Sequence, residues 1–360
     1  MVGIFKHTQT AAARARFCSC ARAVFGRVVL PALVLSTVGC ATVETPPDDP
    51  LVDRIFRSSD GAELSREDLS RQLEAAQVIY LGEQHDDQRH HARQLAIVGD
   101  LVERGRRPAI GFEVFSLDQT PLLMSYVRSK VPSDGRGHGS ASETRLREAL
   151  VWRGGNESWE FYAPLLRFAR EHGLVVFGGD LSRAMRRRIS RLGAAGLTRV
   201  EQRLLYPSGF KHAAYEAMMR ATLKESHCGY GEPDYIGRLY DNWVARNDAM
   251  AMAVVETLSQ LDGEPVVMIL GAGHVQNNMA VYERVAYQKP GVRQLNLGFR
   301  QVARTPQAIQ AYIQPVEFDG TRFDPDHEYL WFSRRTERDS KDMCEQFRKH
   351  MKKKHAKTSP

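Results

Sequence analysis

The chain predicts an α/β fold, a mostly parallel central sheet flanked by helices with a helical lid over the carboxyl ends of the strands. Three observations predict it. Two compact apolar runs, Val78–Leu81 and Val266–Leu270, each close on glycine and histidine, as Gly82-Glu83-Gln84-His85 and Gly271-Ala272-Gly273-His274. Short apolar runs bounded by glycine are how strands buried on both faces of a parallel sheet read. Between them strand-like and helix-like stretches alternate, the pattern of a parallel sheet built by right-handed crossovers. Both histidines fall at the carboxyl ends of their strands, where open α/β sheets bind ligands.

The elements follow in order. A hairpin-like start around Ile55-Phe56 precedes Ser65-Arg66-Glu67-Asp68, whose spacing predicts a capping box opening a helix. After the strand 78–82, a helix from about Asp86 keeps Leu95, Val98 and Val102 on one face and stops at Gly105. Ala109 to Phe115 reads as a second strand carrying Glu113 at its end. Trp159, Tyr162, Leu166 and Ala169 line a helix closed by Gly173, and Leu174 to Phe177 is a third strand running into Gly178-Gly179-Asp180. A long helix follows from Asp234 to about Leu261, then strands at 265–270, near Gln294–Gly298 and near Tyr329–Phe332. The segments 116–158 and 195–233 are too long for simple connections and too polar for core, which predicts that they form the lid.

The ends of the chain read differently. Lys6, Arg14, Arg16, Arg22 and Arg27 form a basic, acid-free leader before an apolar run, Val28 to Val38, too short to span a bilayer. Thr37-Val38-Gly39-Cys40 then resembles a bacterial lipoprotein cleavage site, with 1–39 as signal peptide and Cys40 as the lipidated residue. An ordinary secretory signal is the alternative. The absence of an aspartate after Cys40 favours anchoring to the outer membrane, on its periplasmic face. Residues 40–52, with Pro46, Pro47 and Pro50, form a tether to a domain at 53–335, and 336–360 reads as a basic, disordered tail. The chain's formal charge of +7 comes from 50 basic and 43 acidic residues, but five of the basic ones lie in 1–39 and eight lie in the tail. The body itself is slightly acidic, so nothing points to a nucleic-acid partner. Of five cysteines, Cys18 and Cys20 leave with the signal. Cys228 and Cys344 remain, and whether they pair is open on sequence grounds.

Glu83, His85, Glu113 and His274, joined by Asp180, are predicted at one edge of the sheet. Two histidines and several carboxylates suit a divalent metal, or a base with charge-stabilising partners. The plainer reading is that Glu83 and Glu113 cap helices or pair with Arg246. His90 and His91 point about 100° apart on a helix, which argues against a histidine-rich metal tract.

Five blocks then resemble one family, the ChaN-like haem-binding lipoproteins of the Tiki superfamily, which also holds erythromycin esterases and TraB-type proteins. Gly82-Glu83-Gln84-His85-Asp86 with His90-His91 is similar to its G-E-x-H-D opening, and Gly111-Phe112-Glu113-Val114-Phe115 to its F-E-[MV]-F strand. Trp159, Tyr162 and Pro164 with Gly178, Asp180, Leu181 and Arg183 resemble the middle block. Asp248-Ala249-Met250-Ala251 and Gly271-Ala272-Gly273-His274 resemble the last two. The resemblance spans about 53–333 and implies a haem-binding protein of iron uptake, held as a homodimer with haem at the subunit junction. Haem needs an axial ligand. The segment 206–240 offers Tyr206, His212, Tyr215, His227, Tyr230 and Tyr235, with a tyrosine favoured because phenolate suits ferric iron; the alternative is that these rings simply pack the lid. The related hydrolases imply a second reading, in which Glu83, His85, Glu113 and His274 are catalytic, with or without a divalent metal. Whether the chain is an enzyme stays open at this stage.

Overall fold

The computed structural model describes residues 49–129, 141–335 and Cys344. The stretch expected to be a signal peptide, the expected anchor Cys40, most of the expected tether and the tail other than Cys344 lie outside the described residues.

The chain runs β1 (Ile55–Arg57), β2 (Glu63–Leu64), α1 (Arg66–Ala75), β3 (Val78–Glu83), α2 (Gln88–Glu103), β4 (Ala109–Ser116), α3 (Thr120–Arg128), α4 (Ala141–Ala149), α5 (Asn156–His172) and β5 (Val176–Asp180). It continues through α6 (Arg183–Leu192), α7 (Arg199–Gln202), α8 (Ala213–Ser226), α9 (Pro233–Gln260), β6 (Val266–Gly271), α10 (Val281–Gln288), β7 (Gln294–Gln301), β8 (Val316–Phe318), β9 (Thr321–Phe323) and β10 (Tyr329–Ser333). The central sheet has the order β2-β1-β10-β7-β3-β6-β4-β5. From β10 to β5 every pairing is parallel, and only β1 and β2 run antiparallel at the far edge.

Alternation along the strands sorts the core. Ile79, Leu81, Ile110, Phe112, Val267, Ile269, Leu295 and Leu297 enter a cluster with Leu69 and Leu73 of α1, Val98 and Leu101 of α2, and Trp159 and Leu166 of α5. Val78, Tyr80, Ala109, Val266, Met268 and Leu270 enter another with Met250 and Val254 of α9 and Val281 and Val285 of α10. Each strand thus buries both faces, one per cluster, which is why these segments read as unbroken apolar runs. β3 and β6 are neighbours, yet the helix after β3 lies on one face and the helix after β6 on the other. That divergence opens a crevice at their carboxyl ends.

Local signals set the boundaries. Ser65 and Asp68 form the expected reciprocal cap at 3.1 and 3.2 Å. The helix after β3 starts slightly later than expected because Asp87 caps it, its Oδ1 accepting from the Arg89 amide at 3.0 Å. His85 therefore stays in the turn between strand and helix, off the helix itself. Gly173 ends α5 in the left-handed region, φ 61°, where only glycine sits without strain.

The expectation of a polar lid over 116–158 needs correcting. Leu123, Tyr126 and Val127 of α3 and Leu146 and Leu150 near α4 are all buried in the main core. Their helical spacing sits among polar residues that lower the average hydropathy without weakening the apolar stripe. In 195–233, α8 packs Tyr215, Met218 and Met219 against Tyr240 of α9, Met279 and Phe323. Cys228 and Cys344 form a disulfide, with their Cα atoms 5.4 Å apart. Among the described residues no helix is long and apolar enough to cross a membrane.

Candidate functional site

The crevice between β3 and β6 holds the charged residues. Glu83, the last residue of β3, lies in register beside Gly271, the last of β6. Glu83 is buried and accepts at both oxygens: Oε1 from Tyr162 Oη at 2.8 Å and from His85 Nδ1 at 2.8 Å, Oε2 from Gln94 Nε2 at 2.6 Å. Burial opposes its charge, but His85 and His91 and these donors outweigh burial and hold its pKa below the ordinary carboxylate value. His91 Nδ1 comes within 3.2 Å of Oε2, off the hydrogen-bonding direction, while its Nε2 meets the His85 carbonyl at 3.0 Å and its ring stacks on Phe161.

Glu113, on β4, is the second buried carboxylate. Its Oε1 accepts from Arg246 Nη2 at 2.6 Å and lies 3.2 Å from His274 Nε2, and its Oε2 accepts from the Gly271 amide at 2.6 Å. Burial again works against the charge, yet His274, His85 and Arg246 hold the pKa well below the ordinary value. Arg246 also engages Asp180, Nε to Oδ1 at 3.1 Å and to Oδ2 at 3.0 Å, and Arg186 Nη1 donates to Asp180 Oδ2 at 2.7 Å. Asp180, at the end of β5, is thereby committed to two arginines. The pairing of Glu113 with Arg246 weighed from sequence is present, and the convergence of strand ends is present beside it.

His85 bridges the two carboxylates. Its Nδ1 is bound to Glu83, and its Nε2 lies 3.9 Å from Glu113 Oε2. Partial burial disfavours the imidazolium, but the Glu113 and Glu83 charges reverse that and push the pKa up to about 9. Solvent reaches 55 % of the side chain and screens the attraction. Gly271 makes the fit possible: a Cβ there would sit 2.9 Å from His85 Nε2 and 3.4 Å from Glu113 Oε2.

His274 is buried in the same crevice. Trp243 stacks on it with ring centroids 4.3 Å apart, and its Nδ1 lies 2.7 Å from Asn247 Oδ1. Asn247 Nδ2 donates to the Trp243 carbonyl at 2.7 Å, which fixes the amide orientation and makes Oδ1 the acceptor. Burial lowers the His274 pKa in spite of Glu113. Its Nδ1 donates to Asn247 Oδ1, and its Nε2 faces Glu113 Oε1 at 3.2 Å.

The arrangement presents one solvent-open proton donor, His85, over buried anions. At neutral pH that is a general acid, and it becomes a base only after losing its proton. Among the described residues no group of three or more His, Cys, Asp or Glu is placed to hold a metal ion. The physical reason is visible: the carboxylate oxygens are already bound to arginine, amide and hydroxyl donors.

The residues expected to hold haem do not gather here. Tyr206 and Tyr230 are exposed, at 39 % and 50 %. Tyr235 is half-buried against His227, ring to ring at 6.0 Å. Tyr215 is buried, its oxygen accepting from Trp243 Nε1 at 3.3 Å, and burial raises its pKa, which disfavours phenolate. His212 caps α8, its Nδ1 accepting from the Tyr215 amide at 3.1 Å, so the proton sits on Nε2, the wrong tautomer for a ligand. His227 is the reverse: Nδ1 lies 2.7 Å from the Leu223 carbonyl, which places the proton there and leaves the Nε2 lone pair available, as metal-binding imidazoles require. An open depression of about 500 Å³ adjoins this end of α8, lined by Ala221, Lys224, Glu225, Cys228, Gly229 and Cys344.

From sequence, Tyr162 reads as a lining residue of its helix and Trp243 as one of the buried face of the long helix, while Gln94 and Asn247 go unmarked. The signal was periodic. His91 and Gln94 share a face of α2, and Trp243, Arg246 and Asn247 share a face of α9, each a polar set on an otherwise apolar stripe.

A family model for haem-binding uptake proteins of the Tiki superfamily, ChaN, matches residues 69–285. The chain belongs to this ChaN family. The match takes in β3 through β6 and the start of α10, and with them every residue of the crevice described above. Among solved structures, ChaN of Campylobacter jejuni, described with cofacial haem binding, superposes with TM-score 0.54 at 17 % identity, covering 77 % of this chain and 95 % of that one. At that identity the likeness establishes the ChaN fold for this chain. An erythromycin esterase variant in its open conformation gives TM-score 0.40 at 14 % identity over 69 % of this chain and 77 % of that one. Protein RETICULATA-RELATED 5 of Arabidopsis thaliana, a chloroplastic protein, is 24 % identical over 56 % of this chain. The chain spans 28 % of the length of that relative.

Proposed function

We propose that this protein binds haem and serves haem or iron uptake, as a homodimer anchored through acylated Cys40 to the periplasmic face of the outer membrane. The observation that carries the reading is membership of the haem-binding uptake family across the whole site-bearing region, 69–285. The Cys228–Cys344 disulfide supports an oxidising compartment. The axial ligand comes from the 206–240 segment. Tyr206 and Tyr230 lie at the surface where a haem held between two copies can reach them, and His227 carries the ligand-competent tautomer.

The test is a hemin titration of the purified protein followed by absorbance. A saturable Soret band is expected, shifted or lost in one of Tyr206→Phe, Tyr230→Phe, Tyr235→Phe or His227→Ala. Absence of saturable binding overturns the reading. A lone hydrolase reading is favoured by one observation, the solvent-open His85 over Glu83 and Glu113. It predicts turnover of activated esters that disappears in His85→Asn, and a wild-type chain inert to such esters removes it.

A further inference from the structure

Helix α6 carries arginine at 183, 186, 187, 188 and 191. Met185 and Ile189 are buried against Leu181, Leu197, Ala245 and Ala249. At about 100° per residue, Arg183, Arg187 and Arg191 fall on the side opposite that buried pair. Arg186 is held by Asp180 and Arg188 by Glu201, each at 2.7 Å. Among the described residues, no hydrogen bond or ion pair engages Arg183, Arg187 or Arg191. Residual desolvation, then crowding by Arg187, Arg153 and Arg186, lowers the Arg183 pKa. Such crowding of like charge is unfavourable without an anion nearby.

The adjoining α7 also projects apolar side chains. Val200 is 69 % exposed and Leu204 54 %, two of the nine large exposed apolar residues among those described. The Arg188–Glu201 pair ties α7 to α6, and the buried Leu197 turns the outer face of α7, with Val200, Leu204, Arg199 and Arg203, toward solvent. From Arg183 to Arg203 the one acidic residue is Glu201, and it is committed to Arg188 and Thr198.

We propose that the α6–α7 surface docks on an anionic phospholipid bilayer, its free arginines at the phosphates and Val200 and Leu204 at the acyl boundary. Charge alone would suit any polyanion. The projecting apolar groups decide the partner, because a phosphate or a nucleic-acid backbone gives them nothing to enter, whereas a bilayer interface rewards both halves of the surface. The contact is peripheral and separate from any lipid on Cys40, and it would turn the domain to one fixed face of the membrane.

The experiment uses the full chain carrying Cys40→Ala, so that no acyl group holds it. Amide hydrogen exchange across 183–206 is followed with vesicles of pure phosphatidylcholine, with vesicles that include phosphatidylglycerol, and with heparin. Slowed exchange in 183–206 only with phosphatidylglycerol vesicles is expected. Arg183→Glu, Arg187→Glu and Arg191→Glu together should remove it and weaken partitioning about tenfold or more. Val200→Ser with Leu204→Ser should remove protection at 199–206 while helical circular dichroism is unchanged. Unaltered exchange in 183–206 on vesicles that the chain nonetheless binds through its ends overturns the proposal. So does equal protection by heparin, which makes the surface a general polyanion site, or concentration-dependent protection without vesicles, which makes it a contact between copies.

Discussion

His85 and His274 stand at the carboxyl ends of neighbouring strands, each delivered by an apolar run and a glycine, and each within reach of Glu113. Their states are opposite. His85 is 55 % exposed at the side chain and its pKa is pushed up; His274 is 6 % exposed and its pKa is pulled down. Glu113 acts on both, so the carboxylate does not separate them. Water access and the second neighbour do: His85 has Glu83 beside it, while His274 has Trp243 and the amide of Asn247. One motif therefore yields a solvent-open proton donor on one strand and a buried, packed ring on the next.

The largest break in this comparison should come from Arg246→Met. It would leave Glu113 and Asp180 buried without their shared cation, at a cost of about 3–5 kcal/mol in urea unfolding. A loss under ~1 kcal/mol would mean the two carboxylates are not charged as described. Tyr162→Phe removes a single hydroxyl donor from buried Glu83 and should cost ~1–3 kcal/mol, measurable in the same way, with the core rings unmoved. Glu113→Gln removes the shared anion. Ring-proton NMR titration should then show His85 falling from about 9 toward its ordinary 6.5 and His274 staying low, since burial dominates there.

The pH profile separates the two kinds of histidine. A folded pKa raised above the unfolded one adds stability that is complete below about 6.5 and fades as pH climbs through about 9, which is the His85 case. Buried His90 and His327 are lowered to about 4, chiefly by desolvation, so they cost stability as pH falls from 6.5 toward 4. Denaturation midpoints should therefore drop on both flanks, and His90→Gln should flatten the acid limb alone. The smallest change is expected from Gly271→Ala, whose new methyl meets the end of a solvent-facing ring that can swing away. About 1 kcal/mol is expected, together with a lower His85 pKa. A His85 titration that does not move would show that the ring is not seated between the carboxylates.

Much of the sheet was legible because each central strand is buried on both faces, so Val78–Leu81 and Val266–Leu270 need no alternation to be recognised. The polar residues of the crevice were legible for the same reason: Glu83 and Asp180 follow apolar runs that close on glycine, and Glu113 interrupts one. What the sequence hid came from helices. Leu123, Tyr126 and Val127 form a core stripe inside a polar stretch, so their segment read as a lid. Tyr162, Gln94 and Asn247 look like ordinary helical residues until the helix is rotated onto the sheet, because the face a polar residue takes depends on packing partners far away in sequence. The haem candidates were the least legible, since the tautomers of His212 and His227 are set by single backbone groups, the Tyr215 amide and the Leu223 carbonyl.

The outermost strands raise a question of timing. β1, with Ile55 opposite Trp331, hydrogen-bonds to β10, and β10 in turn lies on β7. The first strand to leave the ribosome thus waits for the last one to arrive, on the order of tens of seconds at ordinary synthesis rates. During that wait the backbone of β1 stays open to any passing strand, joined near its end by the outer edge of β7. A chain cut short of residue 329 keeps both openings for good, so this protein should depend on a holding chaperone during its delivery far more than its finished, well-buried sheet suggests.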